Sequence, residues 1–164
     1  MKLQHIYSIL ITLSVSFFIG CGSAPNSDAK IARTSSLIES GKFEIQHDWL
    51  TSQGGGRVNI LDNPNFIRFK NDSVNLFLPF FGERFSGGGY NLEGGFIYEG
   101  PLNNYEIEED KNRRIIKFRT KQNSEIIDFT VNIFPEGNVT TRVNSSERSF
   151  ISYQGDIRKL RVQD

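Results

Sequence analysis

Leu76-Phe-Leu-Pro-Phe-Phe-Gly-Glu-Arg-Phe-Ser-Gly-Gly-Gly-Tyr90 is the stretch on which the fold turns. Val74, Leu76, Leu78 and Phe80 alternate with Asn75, Phe77, Pro79 and Phe81. That period of two puts the first set on one face of a strand. The second set starts polar and turns apolar, so the strand is expected to run from a half-solvated region into a buried one. Pro79 has no N–H for a sheet ladder, which sets it at an edge or a strand end. Gly82 is expected to take a backbone angle that a Cβ would resist. Gly87, Gly88 and Gly89 form a tip, from which Tyr90 returns. Phe77, Phe81, Glu83, Arg84, Phe85 and Tyr90 are therefore the candidate binding loop, with Glu83 and Arg84 as a polar pair at a pocket mouth. No Gly-Lys-Ser/Thr follows the glycines, so they are not a phosphate loop.

Working outward, the same alternation recurs on both sides. Phe43, Ile45, His47 and Trp49 form one apolar set, followed by a loop through Gly54 to Gly56. Arg57 to Leu61 and Phe66 to Phe69 are short strands separated by Asp62-Asn-Pro-Asn65, which is turn chemistry. Beyond the glycine tip, Glu93 to Tyr98 is a strand that Gly100-Pro101 punctuates. Tyr105 and Ile107 mark another, which ends in a charged turn over Glu108 to Asn112. Arg114 to Thr120 pairs back. Ile127, Phe129, Val131 and Ile133 give the cleanest alternation, and Val139, Thr141 and Val143 follow the turn at Pro135 to Asn138. The last strand runs from about Phe150 to Ile157. Ala29 to Ser40 reads as a short helix, capped by Ser27 and ended by Gly41, with Ile31, Leu37 and Ile38 as a partial stripe. Short strands joined by polar turns predict a mainly β fold. It is an antiparallel meander forming a sandwich or an open barrel, with a short N-terminal helix.

The leader is separate. Lys2 precedes an apolar run from Ile6 to Ile19, shorter than the ~20 residues that span a bilayer and suited to a signal-peptide core. Gly20-Cys21 resembles the bacterial lipobox, whose cysteine is lipid-modified. Residues 1–20 are thus expected to be a lipoprotein signal peptide, 21–28 a lipidated tether and 29–164 a single β-rich domain. Cys21 is the only cysteine, so the fold rests on its core without disulfides. Removing Lys2 from the 19 basic side chains leaves 18 against 19 acidic ones, a net charge of −1. That balance excludes nucleic acid as a partner and leaves membrane attachment to the lipid on Cys21. The tether has one acidic residue, Asp28, and lacks the acidic run that surface-exported lipoproteins carry. The expected location is the periplasmic face of the outer membrane rather than the cell surface.

Three segments give a family resemblance. Leu78-Pro-Phe-Phe-Gly82 is similar to a Leu-Pro-Tyr-Phe-Gly segment, Phe134-Pro-Glu-Gly-Asn138 follows a Phe-x-Val-x-Ile strand, and Ser145 to Gly155 contains Arg148-Ser and Ile151-Ser-Tyr-Gln-Gly155. Together they resemble the uncharacterised Bacteroidota lipoproteins catalogued as domain of unknown function 4251, over about Ser40 to Ile157. The resemblance implies a secreted, lipid-anchored, mainly β domain and assigns no catalytic residue. Phe80 stands where the family often has Tyr.

The residues supply little for catalysis. After processing His47 is the one histidine, and its place on an apolar face makes it a packed residue. No Gly-x-Ser-x-Gly is present, and too few His and Cys remain for zinc. No metal or other cofactor is called for. Glu93 and Glu99 share a strand face six residues apart, too far to cooperate on a glycosidic bond if the strand is extended. The reading is a non-enzymatic, lipid-anchored envelope domain with a binding or structural role. Its candidate partners are an envelope protein, a glycan or a small apolar ligand. The alternatives are a glycan-processing enzyme using carboxylates near Gly87–Gly89, and a carrier with Phe77, Phe81, Phe85 and Tyr90 at a barrel mouth.

Overall fold

The period-two segments assemble into one antiparallel sheet. In a computed structural model of the chain, the described residues are 27–85, 94–102, 105–110 and 112–161. One helix, α1 (Ser27–Glu39), precedes the strands β1 (Lys42–Ser52), β2 (Arg57–Asn59), β3 (Phe66–Lys70), β4 (Ser73–Pro79), β5 (Gly95–Pro101), β6 (Glu106–Asp110), β7 (Arg113–Gln122), β8 (Glu125–Ile133), β9 (Asn138–Ser145) and β10 (Ile151–Lys159). Their order is β5-β4-β3-β1-β10-β9-β8-β7-β6, with β2 attached to β1. Every step is a chain neighbour except β3 beside β1, which β2 separates in sequence, and β1 beside β10. The expected meander is present, with its first strand set between two runs of hairpins.

Chain connectivity forces this sheet to curl. β5 and β6 are opposite ends of the strand path, yet only residues 102–105 link them. Such a linker reaches about 17 Å at full extension. Eight flat spacings of ~4.8 Å would hold the two edges nearly 40 Å apart. The result is a half-barrel, and it decides between the open barrel and the sandwich. Phenylalanines fill the concave side. Phe43 stacks on Phe69 at 4.7 Å, Phe69 meets Phe118 edge-on at 5.9 Å, and Phe118 stacks on Phe129 at 4.7 Å. Phe129 then meets Phe96, and Phe96 meets Phe80. Contacts such as β3 to β7 and β5 to β8 join strands far apart in the sheet order. Each aromatic pair adds about 0.5–1.5 kcal/mol beyond area burial.

Local rules explain the ends of the elements. Gly41 takes φ +63° just after α1 and accommodates the left-handed helix stop. Leu37 and Ile38 pack on the core, while Ile31 is exposed. Ser27 lies within the helix and its Oγ reaches Glu136 at 3.4 Å, so it is not the expected cap. Pro79 is the last residue of β4, as its missing N–H requires. Two expected breaks are absent. Gly100 and Pro101 lie inside β5, which tolerates proline because it is an edge strand. Glu108 to Asp110 lie inside β6, paired with Ile115, Arg114 and Arg113, rather than in the turn.

One register shift matters for the outer surface. Simple alternation puts Trp49 in the core, but β1 bulges between His47 and Trp49. His47 pairs with Gly155 and Trp49 with Gln154, leaving Asp48 extra. The extra residue flips every later side chain. His47 and Leu50 are fully buried, whereas Trp49 faces outward. Gly155 is what allows this. A Cβ there would lie 2.0 Å from the Gln46 carbonyl oxygen and 2.5 Å from the His47 Cα.

Candidate functional site

The strands have two unlike ends. The turns at Asn71 and at Phe134–Asn138 share one end with α1. The opposite end collects Pro79 to Phe85, Gly95, Ser124 and Glu147 to Phe150. This second end is the rim, and it holds Phe81, Glu83, Arg84 and Phe85 of the six candidate loop residues, with Phe77 just before it in β4. The sixth, Tyr90, lies outside the described residues, as do Gly87–Gly89, Glu93 and Cys21.

The near half of the candidate loop is pinned to the barrel. Arg84 forms an antiparallel bridge with Arg148, flanked by Phe85 N–H donating to the Glu147 carbonyl at 2.7 Å and Ser149 N–H donating to the Glu83 carbonyl at 2.9 Å. Ser149 Oγ accepts from Glu83 N–H at 3.1 Å. Gly82 is needed here, but for a different reason from the one expected. Its φ is outside the left-handed region, whereas a Cβ would meet Ser149 Oγ at 2.5 Å and the Phe80 ring at 2.7 Å. Close approach, not backbone angle, demands the glycine.

Beneath this bridge sits a buried ion network. Arg148 Nη2 donates to Glu125 Oε2 at 2.9 Å and Nη1 donates to the Gly95 carbonyl at 2.8 Å. Arg148 Nε lies 2.8 Å from Glu125 Oε1 but off the hydrogen-bonding angle, so it adds attraction without a bond. Ser145 Oγ donates to the same oxygen. Arg84 Nη2 reaches Glu125 at 3.5 Å and Glu147 at 3.6 Å, and Ser124 Oγ donates to Glu147 at 2.7 Å. The Arg148 guanidinium also lies 4.5 Å from the Phe96 ring centroid. Thus two charged strand ends and the loop are tied together by bonds that only this fold supplies.

The sequence-predicted residues separate into two groups. Phe81 and Phe85 are 46% and 66% exposed, and Glu83 is exposed beside them. Phe77 is half-buried and Arg84 belongs to the ion network. Phe150, also partly exposed, follows Ser149 on the facing segment. Sequence reading missed Glu125, Glu147 and Arg148, since nothing local marks a strand-end charge as buried. Bonded to one Arg84 nitrogen, the two carboxylates come within about 7 Å, inside the ~5–10 Å expected of a glycosidase pair. Both are nevertheless committed to arginine and serine, and the Glu125 side chain is 3% exposed. No face of Glu125 is left for a substrate. Glu99 sits toward the α1 end, beside Gly100 and Asn75, far from the rim.

His47 is a core residue. It is fully buried, with Nε2 at 2.9 Å from Thr141 Oγ1 and the ring 5.3 Å from Tyr153. Nδ1 has no partner, and burial lowers the pKa to about 3. Tyr153 donates its hydroxyl to the Pro79 carbonyl at 2.8 Å, and burial raises its pKa. Among the described residues no three His, Cys, Asp or Glu side chains group as a metal site. No described helix is long and apolar enough to cross a membrane.

Two of the segments that carry the family resemblance, Leu78–Gly82 and Ser145–Gly155, meet at this rim through the Tyr153–Pro79 and Ser149–Gly82 contacts. Comparison with known proteins agrees with that resemblance. A family model described as "Domain of unknown function (DUF4251)" matches residues 26–157. A crystal structure of a DUF4251 family protein from Bacteroides eggerthii DSM 20697 superposes with a TM-score of 0.60 at 12% sequence identity, covering 82% of this chain and 92% of that one. At that identity the likeness is one of fold. No curated protein matches the chain.

Proposed function

Since the chain belongs to the DUF4251 family, we propose that it is a lipid-anchored cell-envelope domain that binds an envelope protein through its rim. The observation that carries this reading is the exposure of Phe81 and Phe85 on backbone that is itself fixed by the Arg84–Arg148 bridge. Exposed aromatic side chains on a rigid support are what binding surfaces use, because little entropy is lost when a partner covers them. The carrier reading fits less well, since phenylalanine rings occupy the concave side where a ligand would be held.

The direction of the chain supports the same reading. α1 begins at Ser27, at the end of the barrel opposite the rim. A lipid on Cys21 would leave six residues before that helix, a reach of about 20 Å. The anchor would hold the α1 end toward the membrane and present Phe81 and Phe85 away from it. The periplasmic face of the outer membrane is the location that the short, weakly acidic tether favours.

Two measurements test this. Cys21→Ala should leave an unprocessed, unacylated precursor in cells, read by metabolic labelling with an alkyne fatty acid. Normal processing and labelling would refute the anchor. Separately, a photo-crosslinking amino acid at position 81 or 85 should give a discrete adduct with an envelope protein. The same group at Lys159, toward the α1 end, should not. Adducts of equal pattern from all three positions, or none from the rim, would refute the binding rim.

A further inference from the structure

The bulge in β1 builds a second surface, on the outer wall of the barrel. A pocket of about 270 Å³ opens there, lined by Asp48, Trp49, Asn138, Thr140, Gln154 and Asp156 among others. The extra residue at Asp48 and Gly155 on the neighbouring strand both belong to its lining. Asn59, Trp49, Gln154 and Thr140 then lie on one rung across β2, β1, β10 and β9. A single indole is therefore set in a row of amide and hydroxyl side chains about 15 Å long, three strand spacings of ~4.8 Å.

We propose that this pocket binds a pyranose unit of an oligosaccharide. A sugar ring has an apolar C–H face and an equatorial belt of hydroxyls. The Trp49 indole offers the platform for the former, and carboxylate, amide and hydroxyl groups surround it for the latter. The indole is already oriented. Arg57 places its guanidinium 4.2 Å from the ring centroid and donates through Nη2 to Gln154 Oε1 at 3.2 Å. Arg57 is not among the residues that line the pocket. Asp48 is a further lining residue, and a carboxylate accepts from the hydroxyl donors of a sugar. The rung beside the pocket extends over the length of a short oligosaccharide.

Trp49 is the chain's only tryptophan, so its fluorescence reports on this pocket alone. The full chain in detergent is titrated with β-1,4-linked hexaoses of glucose, xylose and N-acetylglucosamine, and with tetramethylammonium and spermidine as hydroxyl-free cations. The expected result is a saturable change in Trp49 emission, matched by calorimetric heat, with at least one hexaose. Asp48→Ala and the exposed-surface change Gln154→Ala should each weaken that binding at least tenfold, with the melting temperature of Gln154→Ala unchanged. Paired Phe81→Ala and Phe85→Ala changes should leave it intact, which separates this site from the rim. No response to any hexaose, a response only to the cations, or binding that survives both Asp48→Ala and Gln154→Ala would overturn the proposal.

Discussion

Arg148→Met is expected to destabilise the fold by about 3–5 kcal/mol, the largest loss for any single side chain at the rim. The size follows from what is left behind. Glu125 would keep Ser145 and the more distant Arg84, but lose both close guanidinium contacts while its side chain stays 3% exposed. The Gly95 carbonyl would also lose its donor. Methionine fills similar volume against Phe80 and Phe96, so the loss measures the charge and not a cavity. Arg148→Lys should fall between, because one ammonium cannot span Glu125 and the Gly95 carbonyl as a planar fork does. Pairing Arg148→Met with Glu125→Leu should recover much of the stability, since an apolar pair leaves no orphaned charge. Urea unfolding of the four proteins reads this directly. An Arg148→Met midpoint close to that of the parent would mean the network is incidental.

Acid is expected to weaken the protein through His47, by about 4–5 kcal/mol over the whole titration. The folded state holds this imidazole neutral, with a pKa lowered to about 3. In the unfolded chain the value is about 6.5. Between those limits the unfolded state binds a proton that the folded state refuses, so stability rises with pH. The contribution is fully present above about pH 6.5, declines as pH falls, and is exhausted near pH 3. Each pH unit within the window is worth about 1.4 kcal/mol. Carboxylates titrate there too, so the comparison is with His47→Gln, which keeps a polar group near Thr141 and removes the titration. Urea melts of the two proteins at pH 7, 5 and 4 should converge by roughly 3 kcal/mol by the last point. Parallel curves would show that the ring is protonated or solvated in the folded state.

The same histidine shows where sequence reading succeeds and where it stops. Its place in the core is visible from alternation with Phe43 and Ile45, and the structure puts all three there. Two residues later the pattern fails, because Asp48 is extra and Trp49 turns outward. The sign of this was Gly155, a glycine inside the otherwise regular last strand, 108 residues away from His47 and uninterpretable until the two strands are known to pair. Gly82 gives a similar lesson. Sequence marks it as a residue that must be glycine, but whether the reason is φ or proximity depends on Ser149, brought in from the far end of the chain.

Period-two hydrophobicity and turn chemistry determined by themselves that the chain forms an antiparallel meander with a helix before it, that Ile127, Phe129, Val131 and Ile133 point inward, and that Pro79 lies at a sheet edge or a strand end. These are local properties, since the pleat and the proline ring impose them wherever the strand lies. Only tertiary structure decided that the sheet closes into a half-barrel. The four-residue link between its two edge strands has that effect only once β1 is known to sit beside β10. Only tertiary structure brought Glu125, Glu147, Arg84 and Arg148 together and made Trp49 part of an outer surface. Burial of a charge and the facing of a side chain after a bulge depend on partners distant in sequence, and no local pattern encodes a distant partner.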